Sequence, residues 1–222
     1  MKIFILLGLV SFIVHASVGE VVTGENIQLE RAGTLLTVGP GHELETGDTL
    51  TITSGEAQVH IFPATQINLA APTKFTIEES SLEEDSSFSL LQLLSGGMRI
   101  LMEKFSDGTE QRIKVRETLF AIRGTEFEVE ASDDGEDLQV YEGEVEVLDA
   151  QNNKSLGRVS KNRRIRVKQR KLEERSFAKR ERRLKFREKG EMKQRWEKKR
   201  ERRKQPRRTG ARKEARRERK RR

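Results

Sequence analysis

Histidines, cysteines and clustered carboxylates are the side chains from which most catalytic and metal sites are built, and this sequence offers few of them. It has three histidines, His15, His42 and His60, and no cysteine. Disulfides, thiolate zinc sites and cysteine nucleophiles are therefore impossible. Neither His42 nor His60 has the spacing of a catalytic triad or a zinc site, and no phosphate-binding glycine motif occurs. We expect a protein that is not an enzyme and has no metal or other cofactor.

One acidic run could hold a cation. It contains Asp133, Asp134, Glu136 and Asp137 around Gly135. The run lacks the alternating ligands and the distal glutamate of a calcium loop. A plain acidic hairpin turn is therefore the favoured interpretation, with weak calcium binding as the alternative. Most other carboxylates alternate with apolar residues, which indicates solvated strand faces rather than catalytic pairs.

Charge divides the chain into two unlike parts. Residues 17–150 contain 27 Asp and Glu against 8 Lys and Arg, a net charge of −19. Residues 151–222 contain 9 Asp and Glu against 35 Lys and Arg, a net charge of +26. The overall value of +8 describes neither part. An acidic body therefore carries a basic arm.

The amino terminus has the pattern of a signal peptide. Lys2 precedes the apolar run 3–14, and the small residue Ala16 predicts cleavage between Ala16 and Ser17. The run is shorter than the roughly 20 residues that a transmembrane helix needs. A buried first element of the domain and a retained anchor are the alternatives. We expect a periplasmic or secreted protein without an integral membrane span.

The body has the pattern of an all-β domain. From Leu35 to Val167 apolar residues recur at every second position, and turn residues separate the runs. This pattern predicts an antiparallel sandwich over residues 17–168. His60 is expected on an outward face. The stretch 88–94 fits a helix or a strand, and we expect strand–turn–strand with the turn at Gly96 and Gly97.

Four segments of the body carry glycines and charged residues in a distinctive order. They contain Gly47 and Asp48 in segment 45–53, Gly97 and Arg99 in segment 94–99, Arg123, Gly124, Thr125, Glu126 and Phe127 in segment 121–129, and Glu142 and Gly143 in segment 141–147. In order and spacing these motifs resemble those of FecR domains. The resemblance covers roughly residues 38–147.

The resemblance implies a β-sandwich of jelly-roll type without catalytic activity, as found in periplasmic regulators. In the best-known members of the family, a cytoplasmic region before a membrane helix controls a sigma factor. Only Met1 and Lys2 precede the apolar run here. We therefore expect the cytoplasmic region to be missing.

The motif residues have a structural interpretation. Gly124 lies where a bulge or a close backbone approach would require a residue without Cβ. Arg123 is the only basic residue between Glu117 and Glu146. We expect it to be buried or half-buried and to pair with an acid such as Glu142. The alternative is that Arg123, Gly124 and Thr125 form a ligand site.

The chain from residue 169 to residue 222 is basic and of low complexity, which predicts a partly helical or disordered tail. It could bind an anionic envelope partner such as lipid headgroups, lipopolysaccharide or an acidic polysaccharide, or it could bind nucleic acid, although export disfavours the latter. It could also fold back on its own acidic body. The residues expected to bind a polyanion are Lys198, Lys199, Arg200, Arg202, Arg203, Lys204, Arg216, Arg217, Arg219 and Lys220.

Two functions are compatible with these observations. The main hypothesis is an exported binding or scaffolding module of the bacterial envelope, whose body engages a protein or a glycan and whose tail holds an anionic surface. The alternative is a periplasmic signalling regulator linked to outer-membrane transport, with a role in iron uptake or sigma-factor control.

Overall fold

A computed structural model of the chain describes residues 17–80, 88–103 and 110–176, and these residues contain sixteen β-strands and no helix. The strands are β1 (Gly19–Thr23), β2 (Ile27–Arg31), β3 (Thr34–Val38), β4 (Glu43–Leu44), β5 (Thr49–Ile52), β6 (Glu56–Ile61), β7 (Thr65–Ser80), β8 (Phe88–Met102), β9 (Glu110–Val115), β10 (Thr118–Ile122), β11 (Glu126–Ser132), β12 (Gly135–Glu142), β13 (Glu144–Asp149), β14 (Ser155–Ser160), β15 (Arg164–Lys168) and β16 (Lys171–Arg175).

Two long, bent strands fold the hydrogen-bonded sheet into two layers. The first half of β7 pairs with β6 and its second half with β5. The second half of β8 pairs with β11, and its first half pairs in parallel with β9. One layer, here called layer A, has the order β3-β2-β5-β7-β8-β9-β10-β13-β14. The other, layer B, has the order β4-β1-β6-β7-β8-β11-β12-β15-β16.

Alternation along the strands places one apolar face of each layer against the other. The layers share a single large cluster of buried side chains, in which Phe75 and Phe120 of layer A and Phe127 of layer B are fully buried. Each such side chain contributes about 1.5–3 kcal/mol by leaving water. The prediction of an all-β sandwich is confirmed, with the β8–β9 pair as a parallel exception to its antiparallel pairing.

The corner in β8 depends on a glycine. Gly96 has a φ of 86°, and a Cβ atom there would lie 2.0 Å from the carbonyl oxygen of Pro72. The next residue, Gly97, donates its backbone N–H to Thr73 Oγ1 at 3.1 Å. The expected turn at Gly96 and Gly97 is therefore a bend within one continuous strand, because both residues remain in the β8 ladder.

The sandwich extends past the predicted boundary at residue 168. Strand β16 pairs with β15 through a tight turn at Gln169 and Arg170, whose φ angles are 49° and 60°. Leu172 of β16 packs against the core. The prediction that the tail begins at residue 169 is thus wrong by about seven residues, because four of the five residues of β16 are charged and its alternation is obscured. Among the described residues no helix is long and apolar enough to cross a membrane.

Candidate binding face on layer B

The outward face of layer B carries an unusual set of polar side chains. Strand alternation turns these residues away from the core, yet neighbouring long side chains cover one another and leave several of them buried. His60, which was expected on an outward face, is one of them and is only 4% exposed. The buried polar residues of this face are Glu20, Gln58, His60, Gln66, Asn68, Arg99, Glu126 and Gln139.

Arg99 is at the centre of this face. Its Nη2 donates to Glu126 Oε1 at 2.6 Å, and the two side chains are 8% and 5% exposed. Its guanidinium also lies over the ring of Tyr141, 4.2 Å from the centroid, and the Tyr141 hydroxyl donates to Glu128 Oε2 at 3.0 Å. Antiparallel pairing of β8 with β11 places Arg99 opposite Glu128. Arg99 therefore ties β8, β11 and β12 together from outside the apolar core.

An amide cluster adjoins Arg99. Gln58 Nε2 donates to Asn68 Oδ1 at 3.0 Å and to Gln66 Oε1 at 3.3 Å. Asn68 is only 6% exposed, and its Nδ2 has no hydrogen-bond partner within the described part of the chain. A buried donor without a partner costs about 1–3 kcal/mol of stability. A bound molecule that accepts a hydrogen bond from this donor would remove that cost.

A groove of about 530 Å³ crosses the strands beside these residues. Four residues in register run along it, namely Glu56 of β6, Ala70 of β7, Gly97 of β8 and Glu130 of β11. Ala70 and Gly97 leave its floor almost without side chains. Asn68, Arg99 and Glu128 lie along one side, and Ala71, Pro72, Ser95 and Gly96 line the corner on the other.

The fold does not require a glycine at position 97. Its φ lies outside the left-handed region, and a Cβ atom would meet nothing nearer than Val129 O at 3.8 Å and Glu130 Cγ at 3.9 Å. Glycine within a strand costs about 0.5–1 kcal/mol relative to alanine. A larger side chain at this position would project into the groove. Neither backbone conformation nor packing calls for glycine here, whereas an open groove does.

The first motif pair, Gly47 and Asp48, lies in layer A and has a structural role. Asp48 is fully buried and accepts two hydrogen bonds from Arg31, both at 2.7 Å. It also accepts the backbone N–H of Glu45 at 2.8 Å, which closes the turn. These bonds from Asp48 raise the pKa of Arg31 above its ordinary value. Sequence reasoning missed Arg31, although it is the only basic residue between Ser17 and Thr73.

The motif around Gly124 forms a second tight corner. Gly124 has a φ of 64° and Gly143 a φ of 80°. A Cβ atom on Gly143 would lie 2.7 Å from Thr125 Cγ2 and 2.9 Å from Gly124 O. The pairing of β11 with β12 is irregular just beyond this corner, between Glu126, which faces Glu142, and Phe127. The expectation of a close backbone approach at Gly124 agrees with this geometry.

Arg123 is not the buried strut that the sequence suggested. Its side chain is exposed, whereas Arg99 is 7% exposed and holds a buried carboxylate. The physical reason is cross-strand register, because Arg99 lies within a central strand of layer B and Arg123 lies in the link that follows β10. Gly97, Arg99 and Glu126 thus come together on one face, apart from Gly47 and Asp48.

Some predicted features lie outside the described residues. These are the signal peptide with Ala16 and the basic residues of the tail beyond Ser176. Ser17 is described and is buried, with its hydroxyl donating to Gly19 O at 3.0 Å. The acidic run at residues 133–137 forms the predicted hairpin turn between β11 and β12, and its Asp137 pairs with Arg164 and Arg166.

The groove can bind a molecule but offers no evident reaction chemistry. It presents carboxylate acceptors at Glu56, Glu128 and Glu130, and donors at Asn68 and Arg99. Within the described ranges no group of three or more His, Asp or Glu could hold a metal ion. Sequence reasoning did not identify Glu56 or Asn68, because their proximity to Arg99 arises only from the pairing of β6, β7 and β8.

The fold is an all-β sandwich with a polar groove on one outer face. The central part of the chain is similar to a known protein family. Residues 47–146 match the family model described as FecR protein, so this central part of the chain is similar to FecR domains. The match runs from just before β5 into β13, and the strands on either side of it complete the same sandwich.

Two crystal structures of a "putative anti-sigma factor from Parabacteroides distasonis ATCC 8503" are also similar to the chain. Each is 22% identical in sequence, with TM-scores of 0.45 and 0.46. The similarity covers 54% of this chain and 54% of the other chain in both cases, so the chain spans about half the length of these structures. No curated protein matches the chain.

Proposed function

We propose that this protein is an exported, non-enzymatic binding module of the bacterial envelope. Its groove on layer B takes a protein or glycan partner, and its basic tail engages an anionic partner such as lipid headgroups, lipopolysaccharide or an acidic polysaccharide. The observation that carries the proposal is the glycine floor of the groove. Gly97 keeps the groove open at a cost in strand stability that nothing else in its surroundings explains.

The side chains of the groove are suited to a polar partner. The hydroxyl and amide groups of such a partner both donate and accept hydrogen bonds. They can therefore donate to the carboxylates of Glu56 and Glu130 and accept from the Nδ2 of Asn68. The nearly flat floor at Ala70 and Gly97 admits a main chain or a sugar ring.

Photo-crosslinking in the native host tests the proposal. A photoreactive residue replaces Glu130, which is exposed at the rim of the groove, and the control variant carries it at Glu30, which is exposed on layer A. Fractionation of the host gives the compartment, and mass spectrometry of the adducts identifies the partner. We expect adducts in the envelope or secreted fraction that depend on position 130. Equal adducts from both positions, or a cytoplasmic location, would contradict the proposal.

A second candidate function is a periplasmic regulator linked to outer-membrane transport, with a role in iron uptake or sigma-factor control. The FecR domain over residues 47–146 favours it. The same adducts discriminate between the two functions. A transporter or a membrane-bound regulator crosslinked at position 130 would support signalling, whereas an envelope glycan or a structural protein would support scaffolding.

A further inference from the structure

The structure describes residues 151–176 of the basic arm, and there the arm already neutralises charges of the acidic body. Arginines that follow residue 150 in the sequence form ion pairs with carboxylates that precede it. The pairs have N–O distances between 2.5 and 3.7 Å and join Arg158 to Glu144 and Glu146, Arg164 and Arg166 to Asp137, and Arg170 to Asp149. The first part of the basic region is thus paired with carboxylates of the acidic body.

Two carboxylates of the groove take no part in these ion pairs. Glu56 and Glu130 lie at its two ends, and neither has an ion-pair partner among the described residues. Three strand spacings separate them, which is about 14 Å. Among the described residues that line the groove, Arg99 is the one cationic side chain, and its guanidinium pairs with Glu126. The groove is therefore acidic at both ends, and its middle is floored by Ala70 and Gly97.

Asn68 indicates that the occupant also supplies an acceptor. Its Nδ2 is buried without a partner among the described residues, and the side chain lines the groove. Bare cations, one at each end, would satisfy the two carboxylates but not this donor. A basic peptide satisfies both, because its side chains donate to carboxylates and its main-chain carbonyls accept from an amide.

A basic peptide begins at the edge of the same layer. Strand β16 ends at Arg175 and is four strands away from β8, a distance of about 19 Å. About six extended residues cover that distance, and 46 residues follow Ser176. Segment 177–222 is therefore long enough to reach the groove, and its charge is opposite to that of the groove.

We propose that the basic segment 177–222 docks in this groove of its own chain. Cationic side chains about four extended residues apart, such as Arg200 and Lys204, match the separation of Glu56 and Glu130. A carbonyl between them accepts from Asn68. A polyanion that captures the segment exposes the groove, so binding at the tail and binding at the groove are coupled. The inference goes beyond the proposed function and does not depend on it.

Zero-length carbodiimide crosslinking of the full chain tests the docking. The reagent joins a carboxylate to a lysine in contact with it, and mass spectrometry of the monomeric fraction locates the links. We expect links from Glu56 and Glu130 to lysines of segment 177–222, lost at high salt or on addition of heparin. In Glu56→Gln/Glu130→Gln, trypsin should cleave the segment roughly tenfold faster, because two pairs together contribute about 1.4 kcal/mol.

Two further variants separate docking from general charge effects. Glu25→Gln/Glu30→Gln removes the same charge from exposed positions outside layer B and should leave the trypsin rate unchanged. Gly97→Lys supplies a competing cation inside the groove without a backbone clash and should release the segment, with Gly97→Ala as its control. Links found only between different molecules, or equal effects of the two double variants, would overturn the inference.

Discussion

Replacement of Arg99 should destabilise the protein more than replacement of any other basic side chain described on layer B. Arg99→Ala leaves the carboxylate of Glu126, only 5% exposed, without the guanidinium that lies 2.6 Å away. The loss of one partner from a buried ion pair costs about 3–5 kcal/mol. The cation–π contact with Tyr141 is lost as well. For a domain of about 160 residues, each kcal/mol shifts the melting temperature by about 2–4 °C, so we expect a fall of about 6–20 °C.

Thermal denaturation followed by circular dichroism measures this fall, and two further variants assign its cause. Arg123→Ala removes an exposed arginine, so its cost should stay below about 1 kcal/mol. Arg99→Met/Glu126→Leu removes both charges together and should recover much of the loss, because no unpaired charge stays buried. An unchanged melting temperature in Arg99→Ala, or an equal fall in Arg123→Ala, would refute the assignment of the strut to Arg99.

Three other predictions follow from the described contacts, all measured by melting temperature. Gly143→Ala should destabilise the chain by about 1–3 kcal/mol, because φ is 80° and the new Cβ would approach Thr125 to 2.7 Å; Gly97→Ala should be neutral or slightly stabilising. Burial raises the pKa of Glu136 above its ordinary value of 4.5, so ionisation opposes folding and stability falls as pH rises through the raised pKa. Glu136→Gln should therefore be more stable than the wild type at about pH 8 but not at about pH 4, and an equal difference at both values would contradict this. Truncation after Lys168 should lower the melting temperature because β15 loses its pairing with β16, and truncation after Ser176, which keeps that pairing, should lower it less.

The local properties of the sequence were sufficient to predict the fold class. Side chains in a strand alternate between faces, so runs such as Ala57, Val59 and Ile61 indicate a half-buried strand wherever it lies in the fold. Turn residues such as Gly47, Asp48 and Gly135 could be identified for the same reason, because their backbone preferences are local. The acidic body and the basic arm were visible from composition alone. Strand β16 was missed because five residues with four charges show little apolar alternation.

The binding face depended on contacts between distant segments. Arg123 stands among acids and Arg99 among small and apolar residues. Only the register of β8 against β11 places Arg99 beside Glu126, 27 positions away. Gly97 looked like one half of a turn, and only the pairing of β6, β7, β8 and β11 shows that it floors a groove between Glu56 and Glu130. Burial of polar side chains such as His60 and Asn68 likewise arises from neighbours on other strands. Sequence alternation fixes which way a side chain points along its own strand, but cross-strand pairing decides which side chains it meets.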